Sequence, residues 1–437
     1  MMPRRMLALL LACGVPAAGL AQAPAPGLGF DTLVARALFR EARELTARDA
    51  GALWGRRLGG PILFVEPRSR ALLADSADRE GRLQAVGAFY SGVLPASENA
   101  ANSSLRWAGR SWAMLLWPPP ADSLARGVLL AHELWHRVQD SLGLAARDPP
   151  NPHLAGRDGR LWLRLEGRAL ARALTAPGPA RVRALRDALL FRRVRRREFP
   201  AADSSERQLE LNEGLAEYTG IALAAPDTAL RRSLVAARLE VLDSAAHYER
   251  SFAYQTGPAY GFFLDALAPG WRATLGPGDD LAFRLQAALG APAAARTATA
   301  VARAGSYGYA AVRGAETRRA TEQRTRLAAL RRRFLGGPAL ELPLAEMKLG
   351  FDPGKVEALD SVGTIYGSLR LTDRWGVLQT DASGGLITAD WRRLVVPAPS
   401  EGTTGRRLAG PGWVLELAAG WRLVRGPRAG DWAVTDR

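Results

Sequence analysis

The stretch Asp122–Gly143, DSLARGVLLAHELWHRVQDSLG, contains the pentapeptide His132-Glu133-Leu134-Trp135-His136. Asp122 is a suitable N-cap and Gly143 a suitable terminator, so we predict an amphipathic helix between them. Histidines four residues apart lie on one face of a helix, separated by one turn. This is the separation that two ligands of a tetrahedral Zn²⁺ need.

Glu133 directly follows the first of these histidines, so its carboxylate projects beside the metal rather than onto it. A carboxylate in that place can polarise a water molecule on the metal without competing as a ligand. The chain has only 4 histidines, so a chance match to this motif is expected on the order of once in several hundred chains of this size. We therefore predict one Zn²⁺ per chain, held by His132 and His136, with Glu133 as the general base.

A third ligand has to come from another segment, and the stretch 211–218, LNEGLAEY, is the best candidate. Glu213 and Glu217 are four residues apart on a predicted helix, which we expect to begin with a capping box, Ser205-x-x-Gln208. One of the two carboxylates can bind the metal while the other orients a ligand histidine through a hydrogen bond.

Glu166 is the alternative third ligand. It lies in the helix-like run Leu161–Leu174, and without a metal it would be a surface carboxylate among arginines. Glu206 and Glu210 extend the acidic stripe that contains Glu213, and a solvated helix face would give the same pattern. The Asn-Glu-Gly-Leu-Ala-Glu context favours Glu213 as the ligand.

H-E-x-x-H followed by N-E-x-x-x-E resembles the gluzincin superfamily of zinc metallopeptidases, which includes thermolysin and the aminopeptidase N family. The resemblance covers roughly residues 105–268 and implies that Glu213 is the third zinc ligand and Glu217 its hydrogen-bonding neighbour. The chain departs from both families in the long gap between His136 and Glu213. It also lacks the G-x-M-E-N exopeptidase motif upstream, which favours an endopeptidase.

The segment Tyr254-Gln255-Thr256-Gly257 is similar to a Tyr-x-x-Gly segment of the aminopeptidase N family. There the phenol stabilises the oxyanion of the tetrahedral intermediate, so the resemblance implies a catalytic role for Tyr254. Tyr260 is an alternative source of the phenol. His247 is an alternative of the thermolysin type, in which an imidazole stabilises the oxyanion.

A small predicted sheet precedes a long helical region, from Asp122 to about Phe334, and this order indicates an α+β fold. The strand-like runs are Pro61–Glu66, Ala71–Ala74, Val86–Tyr90 and Trp107–Trp117. In zincins an edge strand precedes the zinc helix, and a peptide substrate adds to it by backbone hydrogen bonds. The resemblance implies that Trp107–Trp117 is this edge strand.

The composition changes near residue 356, where short runs rich in Val, Ile, Tyr and Trp alternate with Gly and Pro turn signals. We predict a small all-β domain over 356–437, after a linker near Gly350–Gly354. Residues 24–345 are then the zincin-like metallopeptidase domain. The sequence does not indicate a role for the β domain.

Residues 1–23 have the pattern of an export signal, with Arg4 and Arg5 before an apolar stretch and an Ala-Gln-Ala cleavage site that ends at Ala23. We favour cleavage there and a periplasmic or extracellular protein; a lipid anchor on Cys13 is the alternative. Because Cys13 is the only cysteine, a metal site has to use His, Asp or Glu. No later apolar stretch is long enough to predict a transmembrane segment.

The chain of 437 residues has a formal net charge of +16, and nearly all of its basic residues are arginines. The densest clusters, Arg192–Arg197 and Arg331–Arg333, lie in Ala- and Leu-rich surroundings typical of helices. A nucleic-acid-binding protein needs clustered cations together with aromatic or fold signatures. We interpret both clusters as solvated helix faces and expect no nucleic-acid partner. An acidic partner or an anionic membrane surface is the alternative.

These patterns together predict an exported zinc-dependent peptidase that hydrolyses peptide bonds of a peptide or protein substrate. Two other functions are compatible with the same residues. The first is a zincin-like protein that binds peptides or envelope partners without turnover, although such a protein would not need Glu133. The second is a zinc hydrolase that acts on a substrate other than a peptide.

Overall fold

The structure is a computed structural model that describes residues 29–290, 297–352, 355–402 and 405–436. The predicted export signal, its cleavage site and Cys13 lie outside the described residues. The chain divides into two compact units, Met1–Arg313 and Gly314–Arg437. Helices dominate the first unit and strands the second, so the predicted α+β class is confirmed.

The first unit begins with a helix and a six-stranded sheet. In chain order these are α1 (Thr32–Asp49), β1 (Ile62–Val65), β2 (Ala71–Ala74), β3 (Gln84–Val86), β4 (Phe89–Val93), β5 (Ser103–Trp107) and β6 (Arg110–Leu116). The strand order is β3-β4-β2-β1-β6-β5, and only the β1–β6 pairing is parallel. The strands predicted at 61–66 and 71–74 are confirmed. The run Val86–Tyr90 instead contains the turn between β3 and β4, because Gly87 adopts φ 60°.

The run Trp107–Trp117 is not a single edge strand. Ala108 and Gly109 have φ of 49° and 71°, so the chain turns there and separates β5 from β6. Strand β6 pairs with β1 on one side and with β5 on the other, so its backbone is hydrogen-bonded on both edges. The edge of the sheet on this side is β5.

The sheet buries both of its faces because its central strands are apolar throughout. On one face, Phe64 and Leu115 pack against α1 and against the helix that follows the sheet. On the other face, Leu63, Trp112 and Met114 form a second apolar cluster. The sheet therefore provides a rigid support on which the helix with the His-Glu-x-x-His motif lies.

The rest of the first unit is helical, as predicted. The helices are α2 (Ser123–Gln139), α3 (Arg157–Thr175), α4 (Gly178–Glu198), α5 (Ala202–Leu209), α6 (Leu215–Ala224), α7 (Thr228–Leu242), α8 (Ala253–Leu267), α9 (Leu281–Ala288), α10 (Thr297–Ala304) and α11 (Tyr309–Arg331), the last of which continues into the second unit. A π-helical turn, Glu210–Gly214, joins α5 to α6.

The predicted N-terminus is right for α2 and wrong for the helical segment that leads to Glu213. The Asp122 carboxylate caps α2 by accepting from the amide of Ala125 at 2.7 Å, so the predicted N-terminus is confirmed. At its other end α2 stops at Gln139, and Gly143, with φ 74°, ends the 3₁₀ turn Asp140–Leu142 that follows. The predicted capping box is wrong, because α5 begins at Ala202 and Ser205 lies inside it. The Ser205 hydroxyl donates backward to the carbonyl of Ala201 at 3.2 Å.

The interpretation of Arg192–Arg197 as a solvated face is wrong for its most important members. Arg192 and Arg195 have exposed fractions of only 1% and 0%. Their guanidinium groups lie among the equally buried carboxylates of Glu166, Glu206 and Glu210. These charges can be buried because each has a partner on another element. The sequence of α4 alone does not indicate those partners.

This buried ionic cluster (Glu166, Arg192, Arg195, Glu206 and Glu210) links four elements of the helical core. Arg195 donates to Glu166 at 2.6 Å and to Glu206 at 2.6 Å, while Arg192 donates to Glu166 at 2.8 Å and to Glu210 at 2.7 Å. Burial alone would raise the pKa of Glu206, but Arg195 and its other partners hold it well below its usual value.

We expect Glu206→Gln to lower the free energy of unfolding by about 3–5 kcal/mol, because it leaves Arg195 buried without full compensation. Urea denaturation at neutral pH measures this change. The contribution is present above the pKa of the unfolded carboxyl, and it is lost only as the pH falls through the depressed folded value.

The matched control is Glu44→Gln, which breaks an ion pair with Arg40 whose side chains are 61% and 67% exposed. It should change stability by no more than about 0.5 kcal/mol. Equal effects of the two substitutions would contradict the prediction that the buried ion pair of Glu206 with Arg195 stabilises the protein.

The second unit consists mainly of two sheets. The seven-stranded sheet and the five-stranded sheet are built from β7 (Ala339–Pro343), β8 (Lys348–Gly350), β9 (Val356–Leu359), β10 (Gly363–Tyr366), β11 (Arg370–Asp373), β12 (Gly376–Thr380), β13 (Gly385–Thr388), β14 (Arg393–Pro397), β15 (Arg407–Gly410), β16 (Trp413–Leu417), β17 (Arg422–Arg425) and β18 (Trp432–Thr435). One apolar cluster takes residues from both sheets, including Leu342, Val396, Leu378 and Leu415, so the sheets face each other. The β region begins at Ala339, earlier than the predicted 356, because β7 pairs with β14.

Two further expectations concern the surface of the protein. In the cluster Arg331–Arg333, exposed Arg331 pairs with Asp360, in keeping with a solvated helix face. Within the described part of the chain, every helix is too short or too polar to cross a lipid bilayer.

Candidate metal centre

Three ligand atoms converge where α2 meets the π-helical turn. The Nε2 atoms of His132 and His136 are 3.1 Å apart, and the Oε2 atom of Glu213 lies 3.4 Å from the first and 3.6 Å from the second. Bonds of about 2.0–2.1 Å to a tetrahedral zinc ion would put its ligand atoms about 3.3 Å apart. The triangle therefore has the size of one face of a zinc coordination sphere.

The other ring nitrogens determine which atoms can bind a cation. His132 Nδ1 lies 3.0 Å from a carboxylate oxygen of Glu217, and His136 Nδ1 lies 2.8 Å from the amide oxygen of Gln139. Both partners are acceptors, so both Nδ1 atoms carry the hydrogen. In the neutral rings each Nε2 then presents a lone pair, and these face each other and the carboxylate of Glu213. A cation among these three atoms, either a proton on His132 or a metal ion, would relieve the repulsion between the lone pairs.

Glu213 is held so that one of its oxygens faces the histidines. Its Oε1 atom accepts from Arg250 at 2.7 Å and from the Asn212 amide at 3.3 Å. Gln139 connects the two ligand-bearing elements, because its amide nitrogen donates to Asn212 Oδ1 at 3.1 Å. Each ligand of the triangle is thus oriented by a hydrogen bond from behind, as metal ligands in proteins usually are.

The electrostatic field at the centre favours a cation. Burial alone would lower the pKa of His132, but hydrogen bonds with Glu213 and Glu217 raise it to about 10. Burial also opposes ionisation of Glu213, yet the two histidines hold its pKa well below the usual range. A proton and a metal ion compete for this place, so metal binding would release a proton.

Glu133 lies beside the triangle, and its side chain has a different environment. The residue is only 3% exposed, and its Oε2 atom has no hydrogen-bond partner among the described residues. Burial raises the pKa of Glu133, although the neighbouring histidines oppose the shift. A buried carboxylate oxygen without a partner is costly, and it suits a group that exchanges protons with a bound molecule.

Tyr254 reaches the same site from α8. Its ring is parallel to the ring of His132, with an angle of 3° between the planes and 5.7 Å between the centroids. Burial and then the charge of Glu213 raise the pKa of Tyr254, so the phenol stays protonated and can donate a hydrogen bond.

Two glycines allow α8 to approach the ligand-bearing turn. A Cβ atom on Gly257 would lie 2.3 Å from the Cα atom of Gly214, so the two backbones touch where both residues lack side chains. Gly257 is three residues after Tyr254 and faces the same way on α8. The close contact therefore brings the phenol to the side of the turn that carries Glu213.

Three sequence-predicted alternatives lie elsewhere. Both oxygens of Glu166 are occupied in the buried ionic cluster, and the Tyr260 hydroxyl donates to one of them at 2.7 Å. His247 is exposed in the segment between α7 and α8. Among the described residues, the group with metal-ligand spacing is His132, His136 and Glu213, whose ligand atoms all lie within 4.8 Å of one another.

Four residues that support the site were not predicted from the sequence: Gln139, Asn212, Arg238 and Arg250. A signal existed for Gln139, which lies three residues after His136 and therefore on the same helical face. Asn212 was quoted only as context for Glu213. Arg238 pairs with Glu217 from α7, and Arg250 is held by Asp148 at 2.9 Å. No local spacing points to either arginine, because both act across long stretches of chain.

Comparison of the chain with protein families, with curated proteins and with solved structures finds no match in any of the three. What the centre does therefore has to be argued from its own geometry.

The purified protein should bind about one Zn²⁺ per chain, and Glu213→Gln should lose most of it, because an uncharged amide replaces the anionic ligand. The metal content is measured by atomic emission after gel filtration. Circular dichroism checks that the variant is folded.

Glu240→Gln, an exposed change on α7, is the matched control and should keep the metal. Glu166→Gln should lower stability while the folded fraction keeps its metal, since Glu166 belongs to the ionic cluster. Retention of zinc by folded Glu213→Gln would contradict the ligand assignment.

Proposed function

We propose that the first unit is a zinc-dependent peptidase whose metal is held by His132, His136 and Glu213. The observation that carries this proposal is the triangle of three potential ligand atoms with an unpartnered Glu133 carboxylate oxygen beside it. A purely structural metal site fills its coordination sphere with protein ligands, whereas a catalytic site keeps one position open. Three protein ligands with a buried base next to them favour catalysis.

We also propose a zincin-like arrangement for this unit. Helix α2 contacts strands β5 and β6 of the sheet and packs on its other side against α6. A sheet, a helix with the first two ligands and a second helix with the third ligand are the parts that the gluzincin resemblance implies. The long segment between the ligands is accounted for by α3 and α4, which pack against each other and supply Glu166, Arg192 and Arg195 to the buried ionic cluster.

The chemistry would divide between the metal and the side chains of this chain. A bound zinc ion would supply Lewis acidity toward water and toward the carbonyl oxygen of the substrate. Glu133 takes the proton of the attacking water. Burial raises the pKa of its carboxyl group, which makes the carboxylate a better base. It then delivers this proton to the leaving amine, which completes hydrolysis of the peptide bond.

Tyr254 is the residue that we assign to the oxyanion. Its phenol stays protonated and lies next to the ligand triangle, so it can donate a hydrogen bond to the carbonyl oxygen as negative charge develops there. The flanking Arg250 donates a hydrogen bond to Glu213 at 2.7 Å and so helps to fix the position of that carboxylate.

The substrate surface that fits this chemistry is the free edge of β5. A peptide in extended conformation can add to an edge strand through backbone hydrogen bonds, with little demand on its side chains. Because β5 contacts α2, such a peptide would run alongside the helix that carries the base. This mode of binding suits internal peptide bonds, so we propose endopeptidase activity by an exported protein.

Glu133→Gln should keep its zinc and lose peptidase activity by about 10²–10⁴-fold, because an amide cannot accept the proton of water. Activity is measured on a denatured, fluorescently labelled protein mixture, with a metal chelator as the inhibited reference. The amide is close in shape to the acid, so the fold should be retained.

Glu249→Gln serves as the control, since Glu249 has no contact with the ligand triangle in the structure and its side chain accepts from the amide of Tyr248. It should hydrolyse the mixture at the wild-type rate. If Glu133→Gln hydrolyses as fast as this control, the proposed mechanism is wrong. If the wild-type protein binds zinc but cleaves nothing, the alternative of a peptide-binding protein without turnover is favoured.

Tyr254→Phe should lower kcat by about 10²–10³-fold and change KM little, because the hydrogen bond from the phenol to the oxyanion forms only in the transition state. The packing against His132 is preserved by the phenyl ring. Steady-state kinetics on a peptide that the wild-type protein cleaves measure both constants.

His247→Ala is the informative comparison, since the thermolysin-like alternative assigns the oxyanion to that imidazole. We expect a kcat near the wild-type value for this variant, because His247 is exposed and is not part of the triangle. The reverse pattern would transfer the role from the phenol to the imidazole.

A further inference from the structure

A second candidate site lies in the β unit and has no part in the proposed peptidase chemistry. It is a cavity of about 240 Å³ on one side of the seven-stranded sheet. Strand β10 and the hairpin formed by β13 and β14 provide most of its wall. The aromatic side chains of this wall are Tyr366 and Trp391.

Trp391 is in an unusual place for a tryptophan. It lies in the loop of the β13–β14 hairpin with φ 58°, in the left-handed region where a Cβ atom crowds the backbone. Hairpin loops of this kind normally place Gly or Asn at such a position. The side chain is also 49% exposed, so it gains little from burial. Neither backbone preference nor packing accounts for tryptophan here, which points to a role outside folding.

The loop holds this tryptophan firmly. The amide of Trp391 donates to the carbonyl of Thr388 at 2.9 Å. The Thr388 hydroxyl bonds with Asp390 at 2.6 Å and accepts from the amide of Arg393 at 3.1 Å. An indole presented on a closed loop is a preorganised surface, which reduces the entropy lost when a ligand binds.

A second aromatic ring of the cavity wall, that of Tyr366, contacts the tryptophan but is only 7% exposed. The Tyr366 and Trp391 ring centroids are 6.2 Å apart, and the planes are inclined by 57°. On its other side Tyr366 contacts Phe351, which is itself 42% exposed. Two of these three neighbouring rings, Phe351 and Trp391, are thus substantially exposed and lie on either side of Tyr366 in the chain of ring contacts.

Three hydroxyl groups of the cavity lining are unused by the fold. The hydroxyls of Ser361, Thr364 and Tyr366 make no hydrogen bond with another residue in the described part of the chain, and all three residues line the cavity. Hydroxyl groups donate and accept, so they match a ligand that also carries hydroxyls.

The charge of the lining excludes strongly charged ligands. No arginine or lysine lines the cavity, so an anionic group would find no counter-charge. The one carboxylate of the lining, Asp360, is paired with Arg331 at 2.5 Å, which compensates its charge and removes the attraction for a cation. A neutral ligand with many hydroxyl groups fits both constraints.

We propose that this cavity binds a neutral sugar residue of a glycan, with the ring stacked on Trp391 and its hydroxyls bonded to Ser361, Thr364 and Tyr366. The aromatic face carries partial negative charge and attracts the C–H groups on the face of a sugar ring. The volume is below the roughly 300–1,000 Å³ of sites for drug-sized ligands, so a single residue of a longer chain enters it. The β unit would then hold the protein on a polysaccharide.

The experiment is isothermal titration calorimetry of the full chain with three neutral oligosaccharides, cellotetraose, maltotetraose and chitotetraose. At least one should bind. Trp391→Gly should weaken that binding at least about tenfold, because it removes the stacking surface. It should also leave the melting temperature unchanged or raise it, because glycine adopts a positive φ without strain. This combination separates a binding role from a structural one.

Trp421→Phe is a control within the same unit, since Trp421 packs against the cluster between the two sheets and does not line the cavity. It should bind the oligosaccharide like the wild type. Glu133→Gln should also bind it normally, because the site is independent of the proposed peptidase chemistry.

Several outcomes would overturn the proposal. The first is that none of the three oligosaccharides binds. The second is that Trp391→Gly binds as tightly as the wild type, or that it unfolds at a clearly lower temperature, which would make the tryptophan structural. The third is that a proline-rich peptide, titrated in parallel, binds through Trp391 while the sugars do not.

Discussion

The convergence of three potential ligand atoms on one point is the constraint around which the first unit is organised. They are the Nε2 atoms of His132 and His136 and a carboxylate oxygen of Glu213. Each is fixed by a hydrogen bond from the opposite direction, through Glu217, Gln139 and Arg250. The sheet holds α2, and paired glycines hold the turn against α8. A proton and a metal ion would compete for the place that these atoms surround.

The buried ionic cluster contains none of the three ligand residues, but it connects the elements around them. Its acidic members come from α3, α5 and the π-helical turn, and its arginines come from α4. Glu210 begins the same turn that contains Glu213, and it accepts from Thr256 of α8 at 2.5 Å. The cluster therefore connects the turn to helices on both sides. Burying these charges costs desolvation, and each charge keeps its partner only while the four elements hold this arrangement.

The features that depend on residues close together in the chain were predicted correctly from the sequence. The four-residue spacing of His132 and His136, and the N-cap at Asp122, are properties of one helix and need no knowledge of the fold. Glu213 was found from its Asn-Glu context, and the structure brings it to the histidines. The reasoning failed for Arg192 and Arg195, because a buried arginine and an exposed one look alike until their partners on other helices are known.

The same limit explains the other errors. A strand was predicted over Trp107–Trp117 because its apolar residues outweighed the turn at Ala108–Gly109. Its place in the sheet depended on the pairing with β1, far along the chain. The π-helical turn has no recognisable pattern, because its residues are those of an ordinary helix. Contacts such as that of Arg238 with Glu217 depend on tertiary structure alone.

The π-helical turn also means that the helix from Ala202 to Ala224 contains one residue more than a regular path would need. Deleting one residue from it would restore unbroken α-helical hydrogen bonding and should improve the segment as a helix. Every side chain beyond the deletion would, however, rotate by about 100° relative to those before it. Glu206 and Glu217 could then no longer face the arginines and the histidine at the same time. The irregularity is what lets one helix serve two differently oriented partners, so here local helical regularity and the geometry of the site are mutually exclusive.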